Sequence, residues 1–312
     1  MTGPNEKSNS KYALNLIGPR GWPACPETLN EGLKALYWER GYLAFEGVLS
    51  PSEVEAVRSG LSEIIAQYAF QEDKADYRPP ADKSGKMSGA VFFSKNSRCS
   101  FQLEAGFEIS PADRADIESK VRKFMWIDEE ADIFRSLRDD HPRLRGVVDS
   151  LLGADPSLYQ SMALVKPAHH GSEKAWHQDN AYFSVQNLDA MLGVWIALDD
   201  ATVENGTMHF LPGGHQAGPL KHFHSDDCEI EKDRYSPDTA EPVCLKAGGA
   251  VFFHGNIPHF TPRNHSPNRR RALQYHFRAA TNPVVDRDEY NRVFVEADGT
   301  PASCAAARPE NF

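Results

Sequence analysis

Beyond Gly153 the sequence breaks into short runs rich in apolar, β-branched and aromatic residues, at 157–166, 176–183, 191–198, 206–211, 249–254 and 269–278. Turn-forming residues separate them, and Asn205-Gly206 is a strong tight-turn signal. Many short strands must stack or close their sheets to hide the edges. The front of the chain reads differently. Helical character starts near Pro26, with Leu29, Leu33 and Leu36 at helical spacing, and ends at Gly41. Residues 42–49 read as a short strand. Ser50, Pro51 and Glu53 then supply an N-cap, a first-turn proline and a capping box. That start directs Val54, Val57, Leu61, Ile64 and Ile65 toward a core. Further helices are expected at 111–123, 128–139 and 142–152, and a long polar loop at 71–98. Strands following a helical section predict a mainly β fold with flanking helices, a double-sheet jelly roll. Residues 1–25 are expected to form a mobile or loosely docked lead-in. Residues 26–312 then form a single domain, with a helical front section at 26–153 and a jelly-roll core at about 154–280.

Charge and composition narrow the function classes. A formal charge of −10 argues against a nucleic-acid partner. No window approaches the ~20 apolar residues of a membrane span, and the polar N-terminus has no signal-peptide core. Cys25, Cys99, Cys228, Cys244 and Cys304 are scattered without a C-x-x-C pair. An odd, unclustered set predicts reduced thiols in a cytoplasmic protein rather than a disulfide framework.

The chemistry centres on Trp176-His177-Gln178-Asp179. In extended chain, residues two apart share a face, so His177 and Asp179 stand side by side. An imidazole and a carboxylate make two-thirds of the two-His-one-carboxylate set that leaves positions open on non-haem Fe(II). A second H-x-D, His224-Ser225-Asp226, lies in the polar stretch 216–240, which has no strand pattern and reads as a solvated loop. The first copy leads into Tyr182-Phe183 and a buried-looking strand, so context favours it. The third ligand is expected at His259, after the glycine-led run 248–254 and the bend at 255–258. His254 is its nearest rival, while His209, His215 and His276 read as supporting or packing residues.

Arg269-Arg270-Arg271 head the last strand. Alternation places Arg270 with Ala272, Gln274 and His276, and the other two arginines with Leu273, Tyr275 and Phe277. A polar interior facing Gln274 and His276 would receive Arg270, whose planar fork suits a carboxylate.

His177-Gln178-Asp179, Trp195, His259 and Arg270 together resemble the phytanoyl-CoA dioxygenase family, and its domain-containing subgroup more than the phytanoyl-CoA hydroxylase itself. The likeness extends over most of residues 35–280. It includes Gly193-Val194-Trp195, Glu204-Asn205-Gly206 and Leu211-Pro212-Gly213-Gly214-His215. The resemblance implies a double-stranded β-helix, cupin-like, that uses Fe(II), O2 and the cosubstrate 2-oxoglutarate. It implies His177, Asp179 and His259 as iron ligands and Arg270 as the grip on the distal carboxylate. Trp195, Gln178, Met162 and Thr261 match positions beside the cosubstrate. Relatives also carry a cosubstrate lysine in the segment matching residues 101–106, and this chain has none there. Asp179 favours hydroxylation, since halogenating relatives lack that carboxylate. The long polar loops at 71–98 and 216–246 are expected to cover the entrance, with Tyr182, Phe183, Phe92 and Phe93 as pocket walls. Two other classes stay open: a catalytically silent jelly roll that binds a ligand, and a zinc hydrolase.

Overall fold

The computed structural model describes residues 21–80, 89–107, 109–224, 228–231 and 233–303. Helix α1 (Glu31–Arg40) starts at Asn30, whose side chain accepts from Leu33 N, and stops at Gly41, at φ 82°. Strand β1 (Tyr42–Phe45) follows. Helix α2 (Pro51–Tyr68) opens with the expected reciprocal box between Ser50 and Glu53. Next come β2 (Ala75–Arg78), β3 (Val91–Ser94), β4 (Ser100–Leu103), the short α3 (Ile117–Lys120) and β5 (Val121–Met125). Helices α4 (Asp132–Asp140) and α5 (Pro142–Leu152) complete the front section. The remaining strands are β6 (Ser157–Lys166), β7 (Lys174–His177), β8 (Met191–Ala197), β9 (His209–Phe210), β10 (His222–His224), β11 (Cys228–Ile230), β12 (Glu241–Pro242), β13 (Ala250–His254), β14 (His259–Thr261) and β15 (Arg270–Arg278), before α6 (Arg287–Val293).

The expected jelly roll is present as two antiparallel sheets. The larger has the order β1-β13-β8-β15-β6-β5-β4-β3-β2, and the smaller has the order β12-β9-β14-β7. Alternation along β15 separates two interiors. Leu273, Tyr275 and Phe277 join Val54, Val57, Leu61, Ile64 and Ile65 of α2 in the core between the large sheet and the helices. Ala272 shares the space between the sheets with Trp195, Phe210 and Phe253. The outer arginines pair with acids: Arg269 Nη1 lies 2.7 Å from Glu118 Oε1, and Arg271 forks onto Asp199 at 2.9 and 2.7 Å.

Several boundaries differ from the sequence reading. The stretch 71–98 contains β2 and β3, which extend the large sheet by two strands. β2 is an edge strand exposed at three of four positions, so its apolar alternation is hidden. The helix expected at 111–123 is a 3-10 turn and one helical turn, after which β5 begins at Val121. The polar stretch 216–240 includes the β10–β11 hairpin. Residues 225–227 of the second H-x-D lie outside the described residues. So do residues 1–20 of the lead-in, whereas Trp22 donates to Cys244 O and Ala24 bridges Glu46. Cys25, Cys99 and Cys244 are free, but Cys228 is disulfide-bonded, which corrects the expectation of five reduced thiols. No helix among the described residues is long and apolar enough to cross a membrane.

The Ser50 hydroxyl caps Glu53 N at 3.3 Å and meets the Glu53 carboxylate at 2.6 Å. Ser50→Ala should therefore lower unfolding free energy by about 1 kcal/mol. Urea denaturation reads this as a lower midpoint at constant slope. An unchanged midpoint would remove the cap from the account of α2.

Candidate metal centre

The two sequence-predicted histidines are ladder partners. β7 and β14 pair antiparallel with His177 directly opposite His259, and their ring centroids are 4.1 Å apart. Direct opposition brings side chains on one face within reach of a common atom. His177 Nδ1 lies 2.8 Å from Ala175 O and His259 Nδ1 lies 3.0 Å from Ile257 O. A carbonyl can only accept, so each Nδ1 carries the proton and each Nε2 keeps its lone pair.

Asp179 closes the set by a route the extended-chain argument describes only in part. Gln178 is extended, at φ −115° and ψ 131°, but Asp179 already opens a 3-10 turn. Its Oδ1 lies 3.4 Å from His177 Nε2 and 3.7 Å from His259 Nε2. The three ligand atoms fall within 4.8 Å of one another, and all three residues are buried. Burial pushes the His259 imidazole down to about 3, helped by His177, which keeps it neutral and able to coordinate. Burial opposes ionisation of Asp179, but His259, His276 and His177 outweigh it and hold the carboxyl well below its usual range. Two neutral imidazoles and one carboxylate form the donor set of a facial triad.

The second oxygen of Asp179 is engaged elsewhere. His276 Nε2 lies 2.8 Å from Oδ2, and Gln274 Nε2 lies 3.4 Å from it. Only a protonated His276 Nε2 makes that contact favourable, so the imidazole donates to Oδ2 and leaves Oδ1 for a metal. Phe183 packs on the His276 ring at 4.6 Å. His276, expected from the sequence as a supporting or packing residue, fills both roles.

Gln178 points away from the centre. Its amide nitrogen donates to Gly218 O at 2.9 Å and Asn256 O at 2.6 Å, and its oxygen accepts from Leu220 N at 2.8 Å. It does not border the pocket, so it anchors the ligand-bearing turn rather than meeting a cosubstrate. Its backbone N–H donates to His222 Nε2 at 3.0 Å, from inside the stretch expected to be solvated. His254 is also elsewhere: its Nδ1 accepts from Asn256 N at 3.0 Å, and its Nε2 lies 3.3 Å from Asp189 Oδ1.

A cavity of about 250 Å³ adjoins the triad. Arg270, Trp195, Met162 and Thr261 line it, as expected, and so do Tyr182 and Phe183. Phe92 and Phe93 do not. Phe92 stacks on Phe101 at 4.7 Å within the helix-side core, and Phe93 lies under the Arg78 guanidinium. Arg270 is 1% exposed. Its Nη2 donates to Gly206 O at 3.1 Å, and its guanidinium lies 5.2 Å from the Trp195 ring centroid. Among the described residues its Nε has no hydrogen-bond partner, nor has Trp195 Nε1. Burial lowers the guanidinium to about 10, only partly offset by Asp199. A buried cation with an orphaned donor is costly unless an anion joins it.

Lysines line the same cavity where the resemblance left a gap. Segment 101–106 offers none, but Lys123 on the next strand, β5, borders the pocket with Met125. Reading 111–123 as helix hid the two-residue alternation that places Lys123 and Met125 on one face. Lys166 is also a pocket residue, and burial pushes its amine well below the usual lysine range.

The phytanoyl-CoA dioxygenase (PhyH) family profile matches residues 37–272. Phytanoyl-CoA dioxygenase domain-containing protein 1 of Danio rerio is 30% identical over 262 residues, covering 79% of this chain and 89% of its own. Among solved structures, EvdO2 from Micromonospora carbonacea var. aurantiaca complexed with 2-oxoglutarate has a TM-score of 0.57 at 24% identity. That match covers 83% of this chain and 94% of EvdO2. EctD from S. alaskensis with bound Fe has a TM-score of 0.59 at 18% identity, over 88% of this chain and 84% of EctD. The chain belongs to the phytanoyl-CoA dioxygenase family.

Proposed function

We propose that this chain is an Fe(II)- and 2-oxoglutarate-dependent dioxygenase. In this reading it oxidises a small molecule, by hydroxylation in the simplest case, as 2-oxoglutarate becomes succinate and CO2. One juxtaposition carries the reading: a buried two-His-one-Asp set and a buried arginine that, among the described residues, has no carboxylate partner border one cavity. When bound, Fe(II) supplies the activation of O2 that no side chain can.

The remaining work belongs to the protein. His177, Asp179 and His259 would hold the metal, each offering one ligand atom. Arg270 takes the distal carboxylate, and Trp195, Met162 and Thr261 shape the slot around it. Lys123 supplies the lysine that the resemblance seeks in the preceding segment. Gln178 is withdrawn from the cosubstrate set, because its amide is fully used in holding the ligand turn. The apolar walls exclude water, and Phe183 and Tyr182 face the substrate. We place the catalytic unit at 26–312 and the protein in the cytoplasm; the free Cys25, Cys99 and Cys244 support that compartment, and the disulfide at Cys228 counts against it. A zinc hydrolase or a silent binding protein would leave the unpaired Arg270 beside the triad without a purpose.

Three measurements test this. Arg270→Gln should weaken 2-oxoglutarate about a hundredfold, the order expected for truncating a buried charge pair, while Mn(II) binding is kept. Anaerobic calorimetry reads both, and an unchanged cosubstrate affinity would contradict the assignment. His259→Ala should abolish Fe(II)-dependent succinate release while His254→Ala keeps a measurable fraction; the reverse would move the third ligand to His254. His276→Leu should cost about 10–100-fold in metal affinity, with His276→Gln recovering part of it. Equal affinity in all three proteins would make the contact to Asp179 incidental.

A further inference from the structure

An irregularity in β5 sets the charge on one wall of the pocket. β5 pairs with β4 through Gln102↔Lys123 and Leu103↔Val121, so Arg122 has no partner on β4. This is a β-bulge, a device that re-aims side chains and is common beside active sites. Strict alternation would put Arg122 and Phe124 on one face and Val121, Lys123 and Met125 on the other. Instead, Val121 and Phe124 are both buried in the core shared with α2, while Arg122, Lys123 and Met125 all line the pocket. The extra residue has turned a guanidinium from the core side to the cavity.

Arg122 is half-buried, and among the described residues no ion pair or hydrogen bond holds it. After burial and Arg270, the charge of Arg122 helps push the Lys166 amine down, against Glu104 and Glu173. Among the described residues no acid of the cavity forms an ion pair with Arg122 itself. Glu104 accepts from Ser172 N at 3.2 Å and from the Ser172 hydroxyl, Asp179 belongs to the metal centre, and Glu173 is exposed. Lys174 donates to the Tyr182 hydroxyl at 2.8 Å. In a chain of net charge −10, Arg122 is the guanidinium on this wall left for a further ligand, since Lys123 goes to the cosubstrate and burial holds the Lys166 amine down. Its charge attracts anions and repels cations, and a guanidinium fork matches planar oxyanions two atoms at a time.

We propose that Arg122 docks an oxyanion carried by the substrate, a carboxylate or a phosphate, and that the enzyme therefore selects anionic small molecules. The inference rests on the functional reading in leaving Arg270 and Lys123 to the cosubstrate.

The test is anaerobic calorimetry on the full chain loaded with Mn(II) and saturating 2-oxoglutarate, titrated with hexanoate, hexyl phosphate and hexylamine. At least one anion should bind the parent protein, and hexylamine should not. Arg122→Gln should weaken the anion about tenfold or more, and Arg122→Lys should weaken it less. The preferred anion tells carboxylate from phosphate. Anions that bind Arg122→Gln as tightly as the parent, or that do not bind the parent at all, would overturn the proposal. A parallel loss of 2-oxoglutarate affinity in Arg122→Gln would also end it, by assigning Arg122 to the cosubstrate. If the parent binds neither Mn(II) nor 2-oxoglutarate, the functional reading fails first and takes this inference with it.

Discussion

The site depends on two imidazoles standing opposite each other across a single strand pair. Because His177 and His259 are partners in the β7–β14 ladder, their separation is fixed by sheet geometry rather than by loop conformation. Sites built on strands are held more tightly than sites built on loops. Each ring is also tied at Nδ1 to a carbonyl two residues away along its own strand. These bonds fix the tautomer and the orientation before any metal arrives. Asp179 needs more support, since it lies just past the strand end, and it receives it from His276 on the opposing sheet.

The large sheet supplies most of the remaining polar lining of the cavity. Met162 and Lys166 come from β6, Trp195 from β8, and Arg270, Gln274 and His276 from β15. β15 lies between β6 and β8, which is why one arginine can meet the Trp195 ring and the Leu164 carbonyl at once. The energetic tension is concentrated at Arg270. Burial disfavors its charge, its Nε is unsatisfied, and the neighbouring Trp195 N–H is unsatisfied as well. A ligand with a planar acid group would relieve that tension, so the pocket is organised to favour the occupied state.

Much of this was legible in the sequence because it rests on short periodicities. The alternation along residues 270–278 sorted Arg270 from its neighbours, and the structure keeps that sorting: Arg269 and Arg271 pair with Glu118 and Asp199. Ser50, Pro51 and Glu53 marked the start of α2 to the residue. What stayed hidden depends on tertiary context. β2 is an edge strand and looks polar. β5 is short and bulged, so its apolar positions Val121 and Phe124 fall at a helical spacing of three, and Lys123 passed as a helical residue. His222 sits in a polar stretch yet is buried, with its Nε2 accepting from the Gln178 backbone N–H. A polar sequence cannot reveal which of its donors will find a buried acceptor.

The central claim is that three side chains distant along the chain share one iron. Anomalous scattering at the iron edge, from crystals equilibrated with Fe(II) and 2-oxoglutarate under argon, tests it most directly. The account predicts a single iron bonded to Nε2 of residues 177 and 259 and to one oxygen of Asp179, with the cosubstrate's far carboxylate against Arg270. Iron located at His254 or elsewhere, or a keto-acid lying away from Arg270, would contradict it.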